Sequence, residues 1–409
     1  MNRCSTAFRP HFLLFIAWQV AASLAVGGDE ATSSLYAADE VSVATRDALQ
    51  RAVENARPGA RIVVAPGVYK GGIRFLHLRG AADKPIVIAG ADPADPPVFQ
   101  GGAAGLHLTA PQFVELHDLA FAGASGNGLN IDDGSPDGRN GDSTARHLVL
   151  RNIQVRDVGP QGNRDGIKLS GVDHFRIENC RVERWGRSGS AIDLVGCHVG
   201  VIQGCTFREQ PDAQANGVQT KGGSSKIQIQ HCRFHDAGGR AVNLGGSTGL
   251  DYFRPRDARC EAHDVLVEDC TFIGSMSPVA FVGVDGAVVR RNTFYRPARW
   301  LLRILQESRG ERFTPCQNGV FEANLVVFRG DELRSLVNVG EGTRPDTFSF
   351  AGNHWHCLDA PARSQRYIDL PTPEQNGRYA PAPKFIDEAS LDLRLAPDSP
   401  VRDVGARAP

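Results

Sequence analysis

A ladder of equivalent positions constrains this chain more than any other feature of its sequence. Each rung follows a short run of alternating apolar residues, and counting from Ile153 the rungs are 22 to 38 residues apart. The rungs are Cys180, Cys205, Cys232, Cys270, Asn292, Asn324 and Asn353. A repeat of this length, made of short β-runs and turns, is typical of a solenoid whose coils bury their apolar faces against each other. We therefore predict an all-β solenoid.

The composition agrees with a turn-rich β-fold and gives no sign of a highly charged partner. The chain has 45 glycines and 24 prolines among its 409 residues, which supply many turns. Its formal net charge is −1, so there is no global electrostatic attraction to nucleic acid or to a membrane surface. We predict no nucleic-acid partner, and the sequence indicates no particular oligomeric state.

The first residues have the pattern of an export signal. Arg3 and Arg9 precede an apolar run from Phe12 to Ala25, and small residues follow. This pattern predicts a signal peptide with a short leader over residues 1–38, cleaved after Ala25 or near Ala37, and a solenoid domain with a C-terminal cap region over residues 39–409. Because no second stretch is apolar for long enough to span a bilayer, we predict a secreted or periplasmic protein without an integral membrane segment in its mature chain.

The cysteines admit two interpretations. Export would allow disulfides, including a Cys260–Cys316 bridge. The rung cysteines, however, fall on neighbouring coils about 4.8 Å apart, where small thiols often fill a core without bonding to each other. We favour stacked free thiols.

An amphipathic helix is predicted before the first coil. Thr45 can cap a helix over Thr45–Ala56, and Leu49 and Val53 belong to one apolar stripe. The dipeptide Pro58-Gly59 would end it. Such a helix would cover the open end of the solenoid and its unpaired backbone groups.

A second strand in each coil aligns polar side chains into a column. Because side chains two apart share a face, one apolar residue of each strand points inward and its neighbour points outward. The outward residues are Asn130, Lys168, Asp193, Gln219 and Asn243. A solvated sheet face is one interpretation of this column, and a binding wall flanked by Asp165 and Arg240 is the other.

At this point the sequence resembles a known family. Residues Leu49–Ala56 (LQRAVENA), Pro58–Tyr69 (PGARIVVAPGVY) and Leu391–Gly405 (LDLRLAPDSPVRDVG) resemble the first and last segments of secreted proteins of the pectate-lyase-like superfamily. Within it, the sequence is most similar to the alginate lyase and chondroitinase B family. The resemblance implies a right-handed, single-stranded parallel β-helix with an N-terminal capping helix.

The resemblance also implies a reaction, the cleavage of a uronate-containing polysaccharide by β-elimination. In the lyase family a lysine after a β-run serves as base, and Val218–Ser224 (VQTKGGS) matches that motif, which makes Lys221 the candidate base. The next coil, Val242–Ser247 (VNLGGS), has Gly245 where an assisting arginine is expected. Arg240 or Arg254 would then supply the cation that neutralises the substrate carboxylate.

Further candidates surround this motif. We expect substrate contacts from the wall residues Lys168, Asp193, Gln219 and Asn243, from Arg303 further along it, and from Tyr252 in the inserted loop 249–256, whose aromatics would otherwise pack against the protein itself. His235 is a reserve base. Asp165 with Asp193 would instead serve a glycoside hydrolase or a uronate epimerase, and a non-catalytic carbohydrate-binding or cell-surface protein is a further alternative.

A calcium site is the one cofactor that the sequence raises. Asp132, Asp133, Asp137 and Asp142 form an acidic, glycine-rich loop whose oxygens would suit Ca²⁺. The loop lacks the EF-hand spacing, and we favour a solvated loop without metal.

Overall fold

The computed structural model describes residues 40–135 and 143–408, and within them the chain winds through three long parallel sheets. Successive strands visit the sheets in turn, and each strand pairs with the equivalent strand of the coils before and after it. This arrangement is the predicted single-stranded parallel β-helix. The predicted signal peptide, residues 1–38, lies outside the described residues.

Sheets I and II are the two faces that contain most of the long strands. In the described residues, sheet I has twelve strands, Glu40–Val43, Arg61–Val64, Ile86–Gly90, Gln112–His117, Ala145–Arg151, Val172–Glu178, His198–Gln203, Ser224–Gln230, Ala262–Glu268, Val284–Arg290, Val320–Glu322 and Ser349–Ala351. Over the same residues sheet II has ten strands, Ile73–Leu76, Ala104–Thr109, Asn127–Asp132, Ile167–Ser170, Ser190–Val195, Asn216–Lys221, Arg240–Gly245, Ser277–Val282, Leu302–Leu305 and Val337–Val339.

Sheet III and a C-terminal hairpin complete the described part of the chain. The eleven described strands of sheet III are Val68–Lys70, Val98–Gln100, Ala120–Ala122, Gln154–Arg156, Arg181–Glu183, Thr206–Gln210, Arg233–Ala237, Thr271–Ile273, Thr293–Tyr295, Leu325–Phe328 and His354–Cys357. The antiparallel strands Phe385–Asp387 and Asp392–Leu395 follow. Leu393 packs with Tyr295 and Val327, so the C-terminal segment lies against the outer face of sheet III.

The predicted helix is present and spans Arg46–Glu54. Thr45 caps it, since its hydroxyl accepts a hydrogen bond from the Ala48 amide at 3.2 Å. Leu49 and Val53 are buried in the core. Short 3₁₀ segments are Leu250–Tyr252, Pro345–Thr347 and Pro361–Tyr367, and no described helix is long and apolar enough to cross a membrane.

The ladder predicted from sequence lies inside the coils. Its cysteines are buried free thiols, and Cys260 and Cys316 are also unbonded, so the stacked-thiol interpretation is confirmed. The asparagines continue the ladder through hydrogen bonds. The backbone N–H of Asn292 donates to the side-chain oxygen of Asn324, and the backbone N–H of Asn324 donates to the side-chain oxygen of Asn353, both at 2.9 Å. Each buried amide therefore binds its neighbour one coil away and fixes the register of the stack.

Candidate functional site

The outward column of sheet II has the register that the sequence predicts. Asn130 pairs with Lys168, Lys168 with Asp193, Asp193 with Gln219 and Gln219 with Asn243. We call these five residues the sheet II wall. Their apolar neighbours Leu129, Ile167, Ile192, Val218 and Val242 are buried in the core, as predicted.

The wall is not the solvated stripe that alternation alone suggests. Asp193, Gln219 and Asn243 are buried although they point away from the core. Longer cationic side chains contact them from the outside: Lys221 binds Asp193 and Gln219, and Arg240 donates to Asn243 at 3.3 Å. Cations therefore contact the inner polar layer of the wall.

Two partly exposed lysines and two buried aspartates form a compact cluster at the centre of the wall. The ammonium of Lys168 lies 3.1 Å from a carboxylate oxygen of Asp165 and 2.5 Å from one of Asp193. The ammonium of Lys221 lies 3.2 Å from the other oxygen of Asp193 and 3.1 Å from the side-chain oxygen of Gln219. We call Asp165, Lys168, Asp193 and Lys221 the lysine–aspartate cluster; its formal charges sum to zero.

The pKa values of the two carboxylates are shifted in opposite directions. Burial and the charge of Asp193 raise the pKa of Asp165. Burial also acts to raise the pKa of Asp193, but Lys168 and Lys221 outweigh it and lower that pKa. Burial disfavours the charge of Lys168, yet the two aspartates outweigh it and raise the pKa of its ammonium. Asp193 is therefore the ionised centre of the cluster, with a lysine on each side.

The position where the resemblance requires an arginine cannot hold a side chain without rearrangement. Gly245 follows Leu244, which pairs with Thr220, so it lies one coil beyond Lys221. Its φ is +100°, and a Cβ there would lie 1.8 Å from the Val282 carbonyl oxygen. Only glycine fits this backbone.

Arg240 and Arg303 lie together on the C-terminal side of the wall. Arg240 forms an ion pair with Glu307 at 2.6 Å. Arg303 donates to Asn338 at 3.0 Å and its guanidinium lies 4.6 Å from the ring centroid of Trp300. Burial and the charge of Arg240 lower the pKa of Arg303.

The inserted loop contains both buried and exposed residues. Arg254 is buried; it forms an ion pair with Asp173 and donates to the Gly196 carbonyl at 2.8 Å. Phe253 is also buried, whereas Tyr252 is 61% exposed. Phe253 thus packs against the protein itself and Arg254 anchors the loop to sheet I, while the substrate contact of Tyr252 stays a prediction.

His235, the reserve base, lies on a different sheet from Lys221. It belongs to the strand Arg233–Ala237 of sheet III, where it pairs with Arg208 and Ile273. Lys221 lies at the end of a sheet II strand. The chain changes sheets within the two residues after Ala237, and this turn gives His235 a different outward direction.

Sequence reasoning missed a buried carboxylate behind the turn that follows Lys221. Glu261 accepts hydrogen bonds from the amides of Gly222 at 2.8 Å and Thr248 at 2.9 Å, from the Thr248 hydroxyl at 2.7 Å, and from Ser308. It therefore fixes the turn at Lys221 to the start of the inserted loop. These partners lie 13 to 47 residues away in sequence, so no local motif signals the arrangement.

The acidic loop is only partly described. Asp132 binds His107 at 2.5 Å, and Asp133 accepts from the Ser135 amide at 2.8 Å, while Asp137 and Asp142 lie outside the described residues. Across residues 40–135 and 143–408, no group of three or more His, Cys, Asp or Glu side chains is arranged to hold a metal ion. The solvated loop without metal stays a prediction, with Ca²⁺ as its alternative.

Comparisons with known proteins agree with this architecture. The family model described as right handed beta helix region matches residues 165–250. An alginate lyase from Paenibacillus sp. str. FPU-7 is 19% identical with a TM-score of 0.50, over 75% of this chain and 99% of that chain. The pectate lyase Pel9A is 14% identical with a TM-score of 0.54, over 88% of this chain and 86% of that chain. No curated protein matches the sequence. At identities this low, the similarity shows a shared fold and not a shared activity. This chain is accordingly a right-handed parallel β-helix protein with the fold of these lyases.

Proposed function

We propose that this protein cleaves an anionic, uronate-containing polysaccharide by β-elimination at the sheet II wall. The observation that supports this most is which side chains of the lysine–aspartate cluster reach solvent. The side chains of Lys168 and Lys221 are 24% and 15% exposed, whereas those of Asp165 and Asp193 are 2% and 0% exposed. A polymer that contacts this wall therefore meets two lysine side chains and not the carboxylates behind them, which favours an anionic substrate.

The two lysines suit different steps of an elimination. The base must remove the proton α to the uronate carboxylate, and a cation must stabilise the charge that develops on that carboxylate. We assign the base to Lys221, which requires its neutral amine. We assign the neutralising cation to Lys168, whose ammonium the two aspartates keep charged.

This assignment gives Lys168 the role that the resemblance gives to an arginine. Gly245 excludes a side chain at the expected position, and Arg254 is committed to Asp173. Arg240 has Glu307 as its partner, and its side chain is 17% exposed. We assign to Arg240 a hydrogen bond to the leaving oxygen, since its side chain is not held by a buried carboxylate as that of Arg254 is.

One observation favours hydrolysis as a second candidate. The environments of Asp165 and Asp193 shift their pKa values in opposite directions, as is usual for an acid and base pair. A glycosidase carboxyl must reach the glycosidic oxygen, and both of these are buried behind Lys168. We therefore rank hydrolysis below elimination.

The test follows two products in parallel. Purified protein is incubated with alginate, pectate, chondroitin, heparin-like and sulfated algal polysaccharides, with and without Ca²⁺. We expect ultraviolet absorbance of an unsaturated product to rise together with new reducing ends. Reducing ends without absorbance would instead support hydrolysis, and binding without either signal would support a non-catalytic carbohydrate-binding protein.

Variants connect the reaction to the wall. Lys221→Ala should abolish turnover with the fold intact, whereas Lys226→Ala should leave it unchanged because Lys226 is an exposed lysine of sheet I in the same coil. Undiminished activity in Lys221→Ala would refute the assignment of the base.

Export is part of the same proposal, because large anionic polysaccharides lie outside the cytoplasm. N-terminal sequencing of protein recovered from the medium or periplasm should give a start at or before residue 39. An intact Met1 in exported protein would contradict cleavage within residues 1–38.

A further inference from the structure

A groove of about 500 Å³ opens beside the N-terminal end of the sheet II wall. Polar and charged side chains from four successive coils line it, among them Arg74, His107, Asn130, Arg164, Asp165 and Lys168. Asp165 and Lys168 pair with each other in the lysine–aspartate cluster, so the proposed function already uses them.

The groove offers two guanidinium groups whose charge is not balanced nearby. Arg74 donates to the Thr109 hydroxyl at 3.1 Å, which is a neutral partner. Arg164 is exposed, and neither arginine forms an ion pair with a carboxylate of the described residues. Lys168 lies at the far side with Asp165 as its ion-pair partner, so the two arginines carry the unbalanced charge of the groove.

Two carboxylates near these cations already have donors on both oxygens. Asp165 accepts from Lys168 at 3.1 Å and from the Ser190 backbone amide at 2.8 Å. Asp132 accepts from His107, from the Asn130 amide group at 3.1 Å and from the Gly134 backbone amide at 3.0 Å. Burial acts to raise the pKa of Asp132, but the hydrogen bond from His107 and the other donors outweigh it and lower that pKa. Asp132 therefore positions His107 and Asn130 along the groove and leaves the arginines available to a ligand.

Other contacts fix the groove before any ligand arrives. The Asn127 amide donates to the side-chain oxygen of Asn130 at 3.0 Å, and its own oxygen accepts from the Asp165 amide at 2.9 Å. One edge is built of small residues; a Cβ on Gly126 would lie 2.2 Å from the Ala103 carbonyl oxygen. A concave, preorganised site with convergent polar groups is typical of ligand sites.

We propose that this groove binds an anionic group, a carboxylate or a sulfate ester, on a sugar unit remote from the unit that reacts at Lys221. The statement that both units belong to one polymer rests on the proposed function. The strand of His107 lies four strands before that of Lys221 in sheet II, which is about 19 Å at the spacing of neighbouring strands. A single sugar ring cannot span this distance, so the site requires an oligomer or polymer as substrate.

Direct binding tests the groove without relying on turnover. Size-defined hexasaccharides of alginate, chondroitin sulfate and a sulfated neutral galactan are titrated calorimetrically into Lys221→Ala, in which cleavage should be absent. The first probe has only carboxylates, the second has both groups, and the third has only sulfates, so the preferred anion is identified. Arg74→Ala and Arg164→Ala are then made in the same background.

We expect each arginine variant to raise Kd about tenfold or more, since a charge-assisted hydrogen bond contributes at least that factor. The matched control is Arg57→Ala, an exposed arginine near the capping helix that does not line the groove, and it should bind as tightly as its parent. Equal affinity of the two groove variants and the control, or no affinity of the parent for any probe, would overturn the proposal.

Failure of the proposed reaction gives a different result. If the arginine variants lose affinity but the wild-type protein cleaves no polymer, the groove stands as a binding site and the lyase reaction is refuted. If Lys221→Ala still cleaves its probe while affinity depends on Arg74 and Arg164, the groove stands and the base is another residue.

Discussion

Replacing Asp193 with asparagine should destabilise the protein more than the same change at Asp165. Asp193→Asn keeps the shape of the side chain and removes the charge that binds Lys168 at 2.5 Å and Lys221 at 3.2 Å. Removing one partner of a buried ion pair costs about 3–5 kcal/mol. Lys168 keeps Asp165 at 3.1 Å and both lysines reach solvent, so we expect about 2 kcal/mol.

Asp165→Asn is the matched control, because it removes a carboxylate from the same cluster. Burial and Asp193 already disfavour the ionised form of Asp165, so the relief of this repulsion offsets part of the lost contact with Lys168. We expect a loss below about 1 kcal/mol. The ranking of the two variants therefore tests the charge assignment within the cluster.

Urea unfolding followed by circular dichroism would measure both variants, with midpoints and slopes compared because a solenoid can unfold in more than one step. The pKa of Asp193 is lowered in the folded state, so its contribution is complete above about pH 4, the unfolded value. It is lost as the pH falls through the folded value. Equal stability of Asp193→Asn and wild type at pH 7, or a larger loss in Asp165→Asn, would refute the reasoning.

Three other changes probe the coils around the site. Gly245→Ala should lower the free energy of unfolding by more than about 2 kcal/mol, because its Cβ would clash with the Val282 carbonyl. Gly286 has a φ of +75° and open space around it, so Gly286→Ala should cost only about 1 kcal/mol. Equal losses of the two variants in urea unfolding would contradict the clash. Asn324→Ala breaks four buried hydrogen bonds of the ladder and should cost about 2–4 kcal/mol in thermal unfolding; an unchanged Tm would mean that the amides do not fix the stack. Burial lowers the pKa of His354 to about 4, so stability should fall as the pH drops from about 6.5 to 4, and His354→Gln should show a weaker fall when melting temperatures are compared.

The coil register was predictable from sequence because it depends on two short-range periodicities. Alternation within a strand assigns Leu129 inward and Asn130 outward, and the spacing of the ladder aligns neighbouring coils. The cap at Thr45 was predictable for a similar reason, since a helix start has a local residue pattern.

The site was less predictable because its contacts join coils that are remote in sequence. Asp173 binds Arg254, 81 residues later, and this contact removes Arg254 from the exposed cations. The burial of Asp193 depends on long side chains from neighbouring coils. The groove combines Arg74, His107 and Arg164 from separate coils, and no motif in any one coil predicts it.

The positions equivalent to Lys221 in the neighbouring coils of sheet II limit where a second functional group can come from. Lys221 pairs with Val195 on its N-terminal side, and Gly245 and then Val282 follow on the other side. Neither Gly245 nor Val282 has a polar side chain, so the equivalent positions of the later coils provide no partner for Lys221. A partner must come from the sheet II wall, where Asp193 connects Lys221 to Lys168. Because Lys168 also borders the N-terminal groove, an anionic polymer that reacts at Lys221 is expected to extend toward the capping helix.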